Sequence, residues 1–177
     1  GQYTPAPWIN VIANPGFGFQ VAVEGSGYTW SLGSRENQLT PWSNDPVGDR
    51  SGEALYVRDD YSGLLFGPTA LPVRKASGHY LARHGRGYSR FEHTRADIAL
   101  NLLQFVPGDE PVKVSRLRIR NLSGRTRHLT LTAYVEWVLG TSRSSTAPFV
   151  ATEIDPVTGG MLARNLWAGT ETRVAFT

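Results

Sequence analysis

Residues 27–46 read GYTWSLGSRENQLTPWSNDP and combine two tryptophans with many hydrogen-bonding side chains. Sugars present flat C–H faces rimmed by hydroxyls, so aromatic rings can stack on the faces while polar side chains take the hydroxyls. The pattern therefore predicts a sugar-facing loop with Trp30 or Trp42 as the plate. The alternative is internal scaffolding, in which both tryptophans are core. The candidate polar rim comprises Arg35, Glu36, Asn37, Asn44 and Asp45.

A second polar cluster lies in YLARHGRGYSRFEH, residues 80–93. A Gly85-Arg86-Gly87 turn would let two strands approach closely, so that side chains on either side converge. Arg83, His84 and Tyr88 could then contact a ligand or a neighbouring domain. The alternative is cross-strand pairing without function. The cluster does not predict a metal site, because it lacks both a His-x-x-x-His spacing and cysteine.

Catalytic motifs are missing from this sequence. The carboxylate pairs lie at turns or strand ends, where we expect them to be solvated: Asp59-Asp60, Asp109-Glu110, and Glu153 with Asp155. No Gly-x-Ser-x-Gly occurs. No glycine-rich segment precedes a helical pattern, which excludes a dinucleotide fingerprint. We therefore predict no catalytic residue and no cofactor in this chain.

Composition excludes several classes of protein. The 177 residues carry a formal charge of +3, from 18 basic and 15 acidic side chains, and no cysteine. Arg116, Arg118 and Arg120 alternate with Leu117 and Ile119, which predicts the outer face of a strand rather than a nucleic-acid site. No run approaches the roughly 18 apolar residues of a membrane span, so we expect no direct membrane contact. The absence of cysteine excludes a disulfide scaffold.

Hydrophobic alternation with a period of two dominates the chain. In residues 128–138, the odd positions are apolar and the even ones mostly polar, which indicates a half-buried strand. The alternation slips in residues 98–105 and 112–120, predicting bulges near Leu102 and Ser115. We expect little helix, long irregular loops over 33–52 and 60–77, and an all-β sandwich of antiparallel sheets. Further strands are predicted at 9–13, 17–24, 53–59, 78–84, 88–94, 148–154, 160–164 and 171–176.

Several segments together resemble a known family. They run from PWINVIANPGFGFQ through SRENQLTPWSNDP and YLARHGRGYSRFEH to LLQFVPGDEPVKVSRLRIRNLSGRTRHLTLTAYVEWVLG and MLARNLW. In this order they resemble the phosphorylase region of bacterial cyclic β-1,2-glucan synthases, in glycoside hydrolase family 94, which also includes cellobiose and chitobiose phosphorylases. The resemblance extends from about Trp8 to the end. Gly33 departs from it, since asparagine is expected there.

The resemblance implies a fold for this chain and a catalytic role for a separate domain. The N-terminal module of that family is a large β-sandwich, or supersandwich, similar to galactose mutarotase domains. A linker and an (α/α)6 barrel follow it, and the barrel carries the general acid and most phosphate ligands. The reaction is phosphorolysis with inversion, in which phosphate attacks the anomeric carbon. We therefore expect residues 1–177 to form one non-catalytic domain of a longer protein, with inorganic phosphate bound elsewhere as co-substrate.

The resemblance also implies partners. The loops of the sandwich would face a β-glucan oligosaccharide and the protein's own C-terminal barrel, and a homodimer remains open. The parent would be an inner-membrane enzyme whose phosphorylase region faces the cytoplasm and sets glucan length. An autonomous carbohydrate-binding module and a purely structural domain are the alternatives. The residues carried over as substrate-binding positions are Arg35, Glu36, Asn37, Trp42, Asn44, Asp45, Arg83, His84 and Tyr88.

Overall fold

The computed structural model describes residues 8–42, 50–74, 78–167 and 173–177, and these form an all-β structure of antiparallel strands. Among these residues, helix is limited to one turn of α-helix, α1 (Arg143–Thr146), and a 3-10 turn (Ala147–Phe149). None of the described helices is long enough to cross a membrane. The strands are β1 (Ile9–Asn14), β2 (Phe17–Ala22), β3 (Gly27–Ser31), β4 (Glu53–Asp59), β5 (Leu65–Phe66), β6 (Tyr80–Gly85), β7 (Tyr88–Arg95), β8 (Ile98–Phe105), β9 (Val114–Asn121), β10 (Leu129–Val135), β11 (Val150–Ile154), β12 (Met161–Asn165) and β13 (Ala175–Phe176).

The described strands form four sheets. Their orders are β1-β2-β3, β10-β4-β5, β11-β12-β13 and β6-β7-β8-β9. In the largest sheet, β7 and β8 are joined through Ala96 and Asp97, both with positive φ, at 46° and 61°. Two central residues of that kind match the right-handed twist of a hairpin. The predicted all-β antiparallel class is confirmed.

The predicted bulges near Leu102 and Ser115 are wrong. β8 pairs residue for residue with β7 and with β9, from Ile98 opposite Asn121 to Phe105 opposite Val114. Leu102 lies on the buried face, whereas Leu103 and Phe105 lie on the other face and are half-buried. Because both faces of this central strand are at least partly covered, apolar residues on opposite faces need no change of register.

Other strand boundaries differ from the predictions. The sequence-based prediction missed β3 and the two-residue β5, and the residues expected to begin a strand at 148 form the 3-10 turn before β11. Part of the strand predicted at 171–176 lies outside the described residues, and β13 covers only Ala175 and Phe176. Gly27, the first residue of β3, lies opposite Val21, and a Cβ at this position would be 2.1 Å from the Gln20 carbonyl oxygen.

Two clusters of buried side chains form the core. The first joins the β1-β2-β3 sheet to the four-stranded sheet through Ile12, Phe19, Val21, Phe91 and Leu102. The second lies between the β10-β4-β5 sheet and the four-stranded sheet, with Leu117 contacting both clusters. Its buried members are Val57, Phe66, Ile98 and Leu100.

β10 is the strand that the sequence predicted to be half-buried, and it is more exposed than that. Leu131 is 51% exposed although it lies opposite the fully buried Val57 of β4. Tyr134, on the other face of β10, is 44% exposed. β10 pairs with β4 along one edge only, so its apolar residues lie at the rim of the sheet.

Candidate functional site

Three aromatic rings form a stack beside β3. The ring centroid of Tyr28 lies 5.2 Å from that of Trp30 and 5.8 Å from that of Trp42, with 27° between the Tyr28 and Trp42 planes. Burial raises the pKa of Tyr28, and a hydrogen bond with Ser34 opposes that shift. Trp30 packs over Gly18, where a Cβ would lie 2.6 Å from its ring. Trp42 is 49% exposed and is the outer ring of the stack.

Some polar groups of the loop after β3 form hydrogen bonds within the loop. Asn37 donates from its side chain to the Ser31 carbonyl at 3.0 Å, and its backbone bonds to Ser31 and Gly33. Arg35 and Glu36 are exposed at the tip of the loop. The remaining predicted rim residues, Asn44 and Asp45, lie outside the described residues.

Two non-glycine residues with positive φ flank this loop. Leu32 has φ 62° and Leu139 has φ 52°, a conformation that costs an L-residue roughly 1–2 kcal/mol. Gln38 forms β-bridges with both Trp30 and Gly140, and its side-chain oxygen accepts from the Trp42 amide at 3.4 Å. Such conformations persist only where surrounding contacts hold the backbone, so the loop presents Trp42 on a fixed support.

The hairpin formed by β6 and β7 uses most of its polar groups internally. Arg83 pairs with Glu92 at 2.6 Å, and His84 Nδ1 lies 2.9 Å from Ser89 Oγ. Tyr88 is 41% exposed, and its ring lies so close to Gly85 that a Cβ there would be 2.3 Å away. Of the three candidates on this hairpin, Tyr88 is the one without a side-chain hydrogen bond in the described structure.

The loop and the hairpin are attached to opposite ends of the β1–β2 hairpin. Asn10 donates to the Gly85 and Tyr88 carbonyls and to Ser89 Oγ, at 2.9–3.1 Å. At the other end, Leu32 donates to the Gly16 carbonyl at 2.7 Å. The four residue steps of strand from Asn10 to Asn14 span roughly 13 Å. The structure therefore places the two predicted groups at separate positions along β1.

A cleft between the sheets was not anticipated from the sequence. It has a volume of about 910 Å³ and is lined by residues from all four sheets, among them Phe17, Leu55, Leu102, Trp137 and Ala175. The indole nitrogen of Trp137 is buried and has no hydrogen-bond acceptor among the described residues. The cleft combines apolar walls with isolated polar groups, the usual composition of a ligand pocket.

Glu53 is the acidic residue among the charged residues that line this cleft, which also include Lys113 and Arg173. It accepts hydrogen bonds from Thr29 Oγ1 and Thr40 Oγ1, each at 2.6 Å, and from Lys113 Nζ. Burial alone would raise the pKa of Glu53, but Lys113 and the two threonines outweigh it and hold that pKa below its ordinary value. Lys113 also lies 4.4 Å from the centre of the Phe19 ring. No sequence spacing connects these residues, because separate sheets bring them together.

The expectation that the carboxylate of Asp59 is solvated is wrong. Its side chain is 3% exposed and pairs with Arg127, which donates to it from Nε at 2.8 Å. Hydrogen bonds from Ser62 and from Arg127 lower the pKa of Asp59 well below its usual range. Arg127 also donates to the Ala96 carbonyl, so the pair ties β4 to the β7–β8 turn.

Two other carboxylates that the sequence placed at turns or strand ends, Glu153 and Asp155, have partners within the described residues, and Glu153 pairs with Arg164. Asp155 caps its own turn by accepting from Val157 and Thr158, which lowers its pKa. Within the described ranges, no cluster of three or more His, Asp or Glu side chains could hold a metal ion. The described residues therefore present an exposed aromatic ring, Trp42, and a cleft between the sheets.

Comparison with known proteins shows which family the chain resembles. A family model described as glycosyl hydrolase 94, supersandwich domain, matches residues 1–177. The chain is 47% identical to the cyclic β-(1,2)-glucan synthase NdvB of Rhizobium meliloti (strain 1021) over 93% of its own length and 6% of that protein. It is 31% identical to the N,N'-diacetylchitobiose phosphorylase of Vibrio furnissii, over 75% of the chain and 17% of that protein. It is also 31% identical to the solabiose phosphorylase of Paenibacillus borealis, over 78% of the chain and 18% of that protein.

Proposed function

Because the chain belongs to the glycosyl hydrolase 94 family, as its supersandwich domain, we propose that it is a non-catalytic domain of an enzyme acting on β-1,2-glucans. The identity of 47% to a cyclic β-(1,2)-glucan synthase supports the linkage. The chain spans 6% of that relative and less than a fifth of the phosphorylases. The reaction, inverting phosphorolysis with inorganic phosphate as co-substrate, therefore belongs to the whole protein.

Within that enzyme, the domain shapes the sugar site and presents Trp42 to the glucan. The observation that carries this role is the stack of Trp42 on Tyr28, which holds an exposed indole in the same segment of chain as the exposed Arg35 and Glu36. An indole fixed by a second ring offers a flat apolar surface at little cost in conformational entropy. The flanking charged groups can accept and donate hydrogen bonds at sugar hydroxyls.

Docking of the C-terminal catalytic barrel is the second part of the role. Trp8, Ile9 and Val11 are 68%, 50% and 56% exposed, and Leu166 and Trp167 are 72% and 75% exposed. Exposed large apolar side chains in contiguous segments mark interaction surfaces. We infer that these segments contact the barrel, through which the domain helps to set the length of the glucan product. We also infer that the parent lies in the bacterial inner membrane, with this domain facing the cytoplasm.

A purely structural role is the second candidate, favoured by the internal use of predicted ligand groups. Asn37 closes its own loop, Arg83 pairs with Glu92, and His84 contacts Ser89. Side chains held in this way would support neighbouring segments rather than a sugar. An autonomous carbohydrate-binding module is distinguished from both roles by measurable affinity in the isolated domain.

Calorimetric titration with β-1,2-gluco-oligosaccharides tests the proposed role, with cello-oligosaccharides as the control series. We expect selective binding at millimolar or tighter affinity, about −4 kcal/mol. Trp42→Ala should weaken it about tenfold, equivalent to about 1.4 kcal/mol. The matched control is Trp167→Ala, an exposed tryptophan outside the stack, which should bind as the unaltered chain does.

Two results would contradict a sugar contact at Trp42. One is equal affinity of Trp42→Ala and the unaltered chain. The other is the absence of binding together with an unchanged rate of phosphate-dependent glucose 1-phosphate release when Trp42→Ala is placed in the complete enzyme. A lower rate in the complete enzyme, without binding to the isolated domain, would mean that the site forms only when domain and barrel meet.

A further inference from the structure

Thr40, two residues before Trp42, is held by three hydrogen bonds to neighbouring strands. Its hydroxyl group donates to Glu53 Oε1 at 2.6 Å and accepts from the Thr29 amide at 2.8 Å, and its own amide donates to the Thr29 carbonyl at 3.3 Å. Thr40 is buried, with 2% of its surface exposed. It therefore joins the segment that carries Trp42 to β3 and to β4, which belong to different sheets.

The backbone between Thr40 and Trp42 is restricted by Pro41. The proline ring fixes its own φ, and it also confines the preceding residue, Thr40, to extended conformations. Pro41 is buried against Gly52, where a Cβ would lie 2.5 Å from the proline ring. Few torsions therefore remain free between the Thr40 hydroxyl group and the Trp42 ring, so that a shift of Thr40 moves the indole relative to Tyr28.

Glu53 holds the Thr40 hydroxyl group in one orientation. Lys113 pairs with Glu53 Oε2, while Oε1 accepts from both Thr29 and Thr40. Hydrogen bonds to a charged acceptor are roughly twice as strong as those between neutral groups. Glu53 and Thr40 line the cleft between the sheets, whereas Trp42 does not. An effect of Glu53 on a sugar at Trp42 would therefore pass through Thr40.

We propose that Glu53 is a positioning residue for Trp42, acting through the Thr40 hydroxyl group. The carboxylate holds Thr40, Pro41 limits the backbone that follows, and the indole is thereby kept on the Tyr28 ring in one orientation. This orientation requires no sugar. Its consequence for glucan affinity rests on the proposed function, in which Trp42 contacts the sugar, because a misplaced contact group binds more weakly even when the group itself is retained.

Nuclear magnetic resonance of the 177-residue chain, with 15N in the tryptophan indoles, tests the orientation of Trp42 without sugar. Trp42→Phe identifies the Trp42 signal by its absence. The ring current of Tyr28, whose centroid lies 5.8 Å away, makes that signal sensitive to the stack. We expect Thr40→Val to shift the Trp42 signal, and Thr40→Ser, which keeps the hydroxyl group, to leave it in place. The matched control is Thr29→Val, which loses an equal 2.6 Å bond to Glu53 outside the Trp42 segment and should not shift the signal.

Glu53→Met combined with Lys113→Met tests the carboxylate itself. The double replacement removes the acceptor of Thr40 without leaving a buried charge unpaired, which would threaten folding. We expect it to shift the Trp42 signal as Thr40→Val does, and it decides the question if Thr40→Val does not fold. The proposal is overturned if the Trp42 signal stays in place in either folded variant, or if Thr29→Val shifts it equally.

Calorimetry with β-1,2-gluco-oligosaccharides tests the consequence for binding. Thr40→Val should weaken the affinity about fivefold in the otherwise unaltered chain. It should have no further effect in the Trp42→Ala variant, since a residue that acts through the indole has none once the indole is absent. Additive losses would overturn the proposal. A shifted Trp42 signal, with no sugar affinity that depends on Trp42, would confirm the positioning and overturn the proposed function.

Discussion

At the scale of single residues, position in the sheets decides which polar side chains are available to a ligand. Arg35 and Glu36 are exposed, whereas Asn37, in the same loop, holds the Ser31 carbonyl. Glu53, which no motif marks, links four segments through Thr29, Thr40 and Lys113. Polar residue type alone therefore does not separate binding groups from anchoring groups.

Replacing Glu53 by glutamine should lower the free energy of unfolding by about 1–3 kcal/mol, because the half-buried Lys113 loses its charged partner. Urea denaturation at neutral pH measures the effect. The matched control is Glu153→Gln, which breaks the exposed pair with Arg164 and should change stability by less than about 1 kcal/mol. Equal losses in the free energy of unfolding in the two variants would contradict a special stabilising role for the Glu53–Lys113 pair.

At the scale of elements, the β6–β7 hairpin contains two histidines in poorly hydrated positions. Burial lowers the pKa of His84 and of His93, and Arg95 lowers the pKa of His93 further. The His79 carbonyl can only accept, so His93 donates to it from Nδ1. In the neutral ring of His93, Nε2 is then the unprotonated nitrogen. It is buried and has no hydrogen-bond donor among the described residues.

Stability should fall as the pH is lowered from about 7 to about 5, because the unfolded chain binds protons near the ordinary histidine pKa of about 6.5, while the folded hairpin resists them. This loss of stability is absent at pH values above the ordinary histidine pKa and grows as the pH falls below it. His93→Gln should flatten the dependence of the urea midpoint on pH, whereas His128→Gln, on an exposed side chain, should not. A slope unchanged by His93→Gln would contradict this account.

At the scale of the whole molecule, two asparagines on one face of β1 connect the first sheet to the rest. Asn10 bonds to the tip of the β6–β7 hairpin, and Asn14 donates to the Pro107 and Glu110 carbonyls at 2.9 Å. The apolar cluster containing Phe91 lies between these two sheets. The sheets therefore meet through both a core and a polar seam.

Asn10→Ala should raise amide hydrogen exchange about tenfold in residues 85–89, since hairpin carbonyls lose their donor. Asn14→Ala should instead raise exchange in residues 107–112. Mass spectrometry of exchanged peptides compares the two variants, each of which is the control for the other. A uniform rise across all sheets in both would mean that the asparagines stabilise the fold globally rather than locally.

The sequence by itself determined the all-β class, the scarcity of helix and the family, because alternation with a period of two and several ordered motifs are local properties of the chain. It also named Trp42, Arg35 and Glu36 as candidate ligand-facing residues, with a buried role for Trp42 as the alternative, and the structure shows all three to be exposed. It did not identify Asp59 as a buried anchor. Only the tertiary structure decided the register of β8 and β9, the cleft around Glu53, the separation of the loop from the hairpin, and the open edge of β10. Each of these depends on which strands become neighbours, and distant segments carry no local pattern that specifies their neighbours.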